Sequence, residues 1–164
     1  MKKRLIAVLL LALMLIGLCG CDTIEGVIEA KPEEKEFEKG DFSITLTDEF
    51  EKLRMSNYEG YLVGYETQDK SVRVLVRELG PGGNAENVIK LAASTHGGEN
   101  AIKKGKGYQY FTYIENPDDQ ELYYYVAFYD GKSAAYEVTF ITPMENINDL
   151  SEDIEKWAKS VDVD

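Results

Sequence analysis

Residues 122–130 read Leu-Tyr-Tyr-Tyr-Val-Ala-Phe-Tyr-Asp, and such a segment leaves few folds open. In an extended chain successive side chains point to opposite faces. Leu122, Tyr124, Val126 and Phe128 then share one face, while Tyr123, Tyr125, Ala127 and Tyr129 share the other. A strand that is apolar on both faces needs cover on both. It belongs inside a sheet with layers packed above and below.

The surrounding sequence supplies strand partners. Tyr108 to Glu115 and Ser133 to Thr142 have strand composition, and they join the 122–130 strand through Pro117-Asp118-Asp119 and through Asp130-Gly131, a strong hairpin signal. Upstream, Phe42-Ser43-Ile44-Thr45-Leu46 alternates apolar and polar, and Thr47-Asp48-Glu49-Phe50 reads as a turn returning an aromatic to the core. Residues 61–67 and 71–79 form a hairpin across Gln68-Asp69-Lys70, with Val72, Val74 and Val76 on one face and Arg73 and Arg77 on the other.

Two helices complete the order. Gly80-Pro81-Gly82-Gly83 breaks the sheet, and Asn84 caps a helix running from Ala85 to about His96. Its apolar stripe reads as Val88, Leu91, Ala92 and Thr95, with Ile89 and Ala93 beside it, and Gly97-Gly98 supplies a left-handed end. The second helix spans roughly Ile147 to Val161, with Ile147, Leu150, Ile154, Trp157, Ala158 and Val161 in one stripe. Strands, helix, strands, helix, with hairpins throughout, predicts an α+β domain: an antiparallel sheet flanked by helices in an α/β/α sandwich.

Location is read from the N-terminus. Lys2, Lys3 and Arg4 precede an uncharged apolar run from Leu5 to Leu18. That run is shorter than the roughly 20 residues of a spanning helix and suits a signal h-region. Leu18-Cys19-Gly20-Cys21 resembles the lipobox of bacterial lipoproteins, with Cys19 where Ala or Ser is usual. The resemblance implies that residues 1–21 are a lipoprotein signal and that Cys21 carries a diacylglyceryl anchor with further acyl chains such as palmitate. Two or more chains hold a protein stably on a bilayer. The expected site is the cell membrane, with the domain facing outside the cytoplasm. Asp22 agrees, resembling the inner-membrane retention signal of enteric bacteria.

Both cysteines lie in the signal, so no disulfide is expected in the mature domain. The whole chain has 18 basic and 30 acidic residues, a net charge of −12. Losing Lys2, Lys3 and Arg4 with the signal leaves 15 basic residues against the same 30 acidic ones, a net charge of −15. Such a surface disfavours nucleic acid and anionic lipid as partners. Residues 22–41, including Glu33-Glu34-Lys35-Glu36, read as an acidic flexible tether, and residues 42–164 as a single domain.

With these elements placed, residues 42–162 resemble the PsbP-like family. The likeness rests on the Phe42–Leu46 strand with Phe50 after it, and on the helix after a Gly-rich break. It includes Gly107-Tyr108-Gln109-Tyr110, the Tyr123–Tyr129 and Tyr136–Phe140 strands, and the closing Trp157-Ala158-Lys159-Ser160-Val161. It implies an α/β/α sandwich and a non-catalytic role in binding or assembly. The competing architecture is a cystatin-like or nuclear-transport-factor-like curved sheet over a helix.

Catalytic motifs are sparse. His96 is the one histidine, which excludes paired-His metal sites, and no cofactor is expected. Asp118, Asp119 and Glu121 supply oxygen ligands, but their spacing matches no calcium loop. Gly131-Lys132-Ser133-Ala134-Ala135 lacks the second glycine and the helix of a nucleophile elbow. Tyrosine is the least ordinary feature: Tyr108, Tyr110, Tyr123, Tyr125, Tyr129 and Tyr136 lie on three consecutive strands. Tyrosine is enriched at recognition surfaces, so this face is either a binding surface or core covered by the helices. The expected function is a membrane-anchored lipoprotein, not an enzyme, that binds an envelope protein or peptide. A carboxylate-dependent hydrolase of envelope material and a passive spacer are the alternatives.

Overall fold

Hairpin after hairpin folds back as the turn residues dictate. The structure is a computed structural model in which residues 31–81 and 84–164 are described, so the signal, Cys21 and the start of the tether lie outside the described residues. Ten strands occur among the described residues. They are β1 (Glu34–Lys39), β2 (Phe42–Thr47), β3 (Phe50–Lys52), β4 (Val63–Thr67), β5 (Arg73–Pro81), β6 (Lys103–Lys104), β7 (Gln109–Glu115), β8 (Leu122–Asp130), β9 (Ala134–Pro143) and β10 (Asp162–Val163). The helices are α1 (Ala85–Ser94) and α2 (Ile147–Lys159).

Two antiparallel sheets result. One has the order β1-β2-β10, and the other, seven-stranded, runs β3-β4-β5-β9-β8-β7-β6. The α+β architecture matches the sequence expectation, and the three-stranded second sheet adds to it. The two-sided strand β8 sits between β7 and β9 as its composition demands.

On one face of the large sheet, Tyr65, Val74, Val76, Val138 and Phe140 pack against Phe42, Ile44 and Leu46 of β2 and against Ile154, Trp157 and Ala158 of α2. The Trp157 indole meets Phe50 edge-on at 5.1 Å. On the other face, Ala85, Ile89 and Ala93 of α1 cover Phe111, Val126, Phe128 and Ala135.

Two expectations are corrected. The stretch read as tether contains β1, whose six residues pair with β2 from Glu34↔Thr47 to Lys39↔Phe42. Its charge content resembles a disordered segment, yet an edge strand needs few apolar contacts, and charged side chains there discourage pairing with another chain. Phe37 supplies the contact, its ring 4.8 Å from that of Tyr65, and Gly40, with φ of 61°, makes the tight return. The second correction is the register of α1. Its buried stripe is Ala85, Ile89 and Ala93, with Val88 and Ala92 partly covered, while Leu91 is 74% exposed.

Other local signals hold. Asn84 accepts from Asn87 N–H at 3.2 Å as the cap of α1, and Gly97 and Gly98 take positive φ after it. At the far end of α2, Ser160 Oγ accepts from Thr45 N–H at 3.0 Å. Its proton is aimed at the carbonyls of Trp157 and Thr45, at 2.7 and 3.0 Å. β10 pairs only with Ser43 and Phe42 of β2, so this serine satisfies the backbone where the strand ladder stops.

Candidate functional site

Seven strands at about 4.8 Å spacing make a sheet roughly 29 Å wide, whereas one helix covers about 10 Å. The α1 face therefore has more sheet than cover. α1 lies over β7, β8 and β9. The segment Leu53–Tyr61 lies over β4, close enough that a Cβ on Gly64 would come within 3.2 Å of Leu53 and 3.3 Å of Met55. Between these two covers runs an open groove of about 250 Å³, with Tyr61 on one rim and Ala92, Thr95 and His96 on the other.

The floor is set by strand register. Arg77 of β5 faces Glu137 of β9, Leu75 faces Thr139, and Arg73 faces Ile141. Ile141 in turn faces Tyr124 of β8, which faces Tyr113 of β7. The rings stack in a ladder: His96 on Tyr113 at 3.8 Å and Tyr113 on Tyr124 at 4.6 Å. The Arg77 guanidinium lies over Tyr61 at 4.5 Å.

Arg77 and Glu137 form a loose pair. Nη1 is 3.8 Å from Oε2, with 40% and 12% of the two side chains exposed. That distance exceeds a hydrogen bond. Among the described residues, Arg77 Nε is the buried side-chain nitrogen or oxygen left without a hydrogen-bond partner. Burial pushes the Glu137 carboxyl above its ordinary value, against the opposing effects of Arg77 and of the Thr139 hydroxyl. Burial, with Glu115 nearby, likewise raises the hydroxyls of Tyr113 and Tyr124. Arg73 is held differently: its Nε and Nη2 donate to Glu66 at 3.0 and 2.6 Å.

The six tyrosines singled out in sequence gather on the opposite face, brought together as expected but largely covered. Tyr108, Tyr125, Tyr129 and Tyr136 are buried, and Tyr110 and Tyr123 are half-buried against the same core. Three of the hydroxyls are spent internally: Tyr108 pairs with Tyr125 at 3.2 Å, and Tyr129 donates to the Ala158 carbonyl at 2.7 Å. Tyr136 packs on Phe42 at 5.8 Å, and Tyr110 stacks on Tyr125 at 4.5 Å. The physical reason is α2 and the three-stranded sheet, which together blanket this face. Four of the six rings are therefore core, while Tyr110 and Tyr123 keep part of their surface exposed at its edge.

Sequence reading passed over the groove residues Tyr61, Tyr113, Tyr124 and Glu137. One signal for them was present. Arg73 and Arg77 share one face of β5, and charge on an inner strand marks a face that is not sealed. Cys21 lies outside the described residues. Among the described residues no group of three or more His, Cys, Asp or Glu side chains converges to hold a metal ion. Asp118 and Asp119 instead form an exposed turn with positive φ.

Set against known proteins, the domain has a PsbP-like fold. A structure from Bacteroides thetaiotaomicron matches with a TM-score of 0.60 at 13% identity, covering 79% of this chain and 48% of that one. The chain thus spans about half the length of that protein. The cyanobacterial PsbP of Synechocystis matches with a TM-score of 0.52 at 10% identity, covering 90% of this chain and 99% of that one. The Saccharomyces cerevisiae Ran-binding protein Mog1p gives 0.49 at 10% identity, with 80% and 96% covered. No family model matches the chain, and no curated sequence matches it significantly.

Proposed function

We propose that this protein is a lipoprotein anchored through Cys21 on the outer side of the cell membrane, and that its domain is a non-catalytic binding or assembly module of the cell envelope. The observation that carries the binding role is the open groove on the α1 face, lined by aromatic rings and by a loosely held Arg77–Glu137 pair. A carboxylate-dependent glycan hydrolase needs two acids about 5–9.5 Å apart across its substrate. Glu137 is the one carboxylate among the groove's lining residues. The anchoring is supported by the Lys-rich start, the apolar run and Leu18-Cys19-Gly20-Cys21.

Both parts are tested in intact cells. A palmitate analogue is expected to label the wild-type chain and not Cys21→Ala. Crosslinking in place is expected to recover one envelope partner with the wild-type protein and to lose it with folded Tyr124→Ala. A partner retained at full yield by Tyr124→Ala moves the binding surface elsewhere. Absence of label removes the anchor.

A further inference from the structure

We propose that the groove between α1 and the Leu53–Tyr61 segment takes one residue of an extended, uncharged peptide backbone, its carbonyl accepting from Arg77 and its N–H donating to Glu137. This deepens the binding-module reading and rests on its choice of the groove.

A guanidinium carries five donors in a rigid fork. That of Arg77 donates no hydrogen bond among the described residues, its Nε is shut away from water, and its nearest carboxylate oxygen is 3.8 Å off. With Nε closed off, an incoming acceptor meets the terminal nitrogens of the fork, on a side chain that is 40% exposed and only loosely paired. The fork is held for such an acceptor by the Tyr61 ring, 4.5 Å away. Glu137, ionised, only accepts, and it sits directly across the strand pair from Arg77. The site thus offers a donor and an acceptor side by side. In an extended chain the N–H and C=O of a single residue point to the same side, as they do in a hydrogen-bonded antiparallel pair. That residue meets both groups at once.

Other occupants fit less well. A carboxylate reaching Arg77 also meets Glu137. The acetamido group of an amino sugar is a trans amide, whose C=O and N–H point in opposite directions. A sugar ring also stacks on free aromatic faces, and each tyrosine of the groove already has a partner on one: Tyr113 stacks with His96 and Tyr124, and Tyr61 lies under Arg77. The space, about 250 Å³, is below the roughly 300–1,000 Å³ of drug-sized sites, which suits one residue of a longer chain.

The test uses the full chain in detergent micelles with its arginines labelled with nitrogen-15. The probes are capped tripeptides (acetylated, amidated), their ester analogues lacking the central N–H, and an N-acetylglucosamine trimer. Millimolar capped tripeptide is expected to shift the Arg77 Nε–H resonance. The ester analogues are expected to bind at least tenfold more weakly, and Arg77→Met to lose the binding. Equal binding of peptide and ester, a shift produced by the amino sugar in place of the peptide, or an Nε–H resonance that no peptide moves would each overturn the proposal. If the crosslinked partner is still lost with Tyr124→Ala while no tripeptide binds, the groove reading stands and this inference alone fails. If neither is seen, both fall.

Discussion

Glu137 carries its carboxyl where little water reaches it, and this has a pH signature. Its folded pKa is raised, chiefly by burial. The folded state then holds the proton more tightly than the unfolded chain does. Below the ordinary value of 4.5 the carboxyl is protonated in both states. As pH rises above 4.5, ionisation progressively disfavours the fold until the raised pKa is passed. Glu137→Gln removes that effect. Its stability relative to wild type, measured by denaturant titration at several pH values, is expected to rise as pH climbs above 4.5 and to level off once the raised pKa is passed. A difference that stays flat or falls contradicts the burial. At this scale the sequence was legible in part. It showed that Arg77 lies opposite the valines of its strand, but a carboxyl becomes unusual only through what buries it.

Elements are joined by single side chains as well as by ladders. β10 is too short to pair with the middle of β2, and Ser160 takes its place at Thr45. Ser160→Ala leaves the partly buried Thr45 N–H without this partner. The expected loss is about 1–3 kcal/mol, read as a lower denaturant midpoint. A change within about 0.5 kcal/mol means that water replaces the hydroxyl. Helix and strand existence was legible because periodicity and caps are local: Asn84, Gly97, Asp130-Gly131 and the α2 stripe all act within a few residues. The register of α1 was not. Ile89 and Leu91 are both apolar, and only the sheet beneath the helix decides that Ile89 is buried and Leu91 is exposed. β1 was missed for a related reason. Its six residues carry one apolar ring, and its stability comes from β2 and Tyr65.

For the molecule as a whole, β1 makes the folded unit begin at Pro32 and shortens the tether. Residues 22–33 span at most roughly 40 Å when fully extended, so the proposed anchor at Cys21 would hold the domain close to the bilayer. A chain begun at Pro32 is expected to fold cooperatively. One begun at Gly40 loses the Phe37–Tyr65 contact and bares the edge of β2, for a loss of about 2 kcal/mol or more in chemical denaturation. Equal midpoints for the two chains would return β1 to the tether.

The sequence alone determined the order of the main strands and of both helices, the antiparallel α+β class and the two-sided strand at its heart, because alternation, helical spacing and turn chemistry are properties of neighbouring residues. It also carried the acidic balance and the lipobox-like signal. Which aromatic face stays open was decided only by the tertiary structure. Both faces of β8 are apolar and carry aromatic rings, so composition does not say which is covered. The three-stranded sheet and α2 cover one face, while α1 and the Leu53–Tyr61 segment together leave a gap on the other. Cover is a matter of how much layer the rest of the chain can lay over a sheet of given width, and no single segment records that.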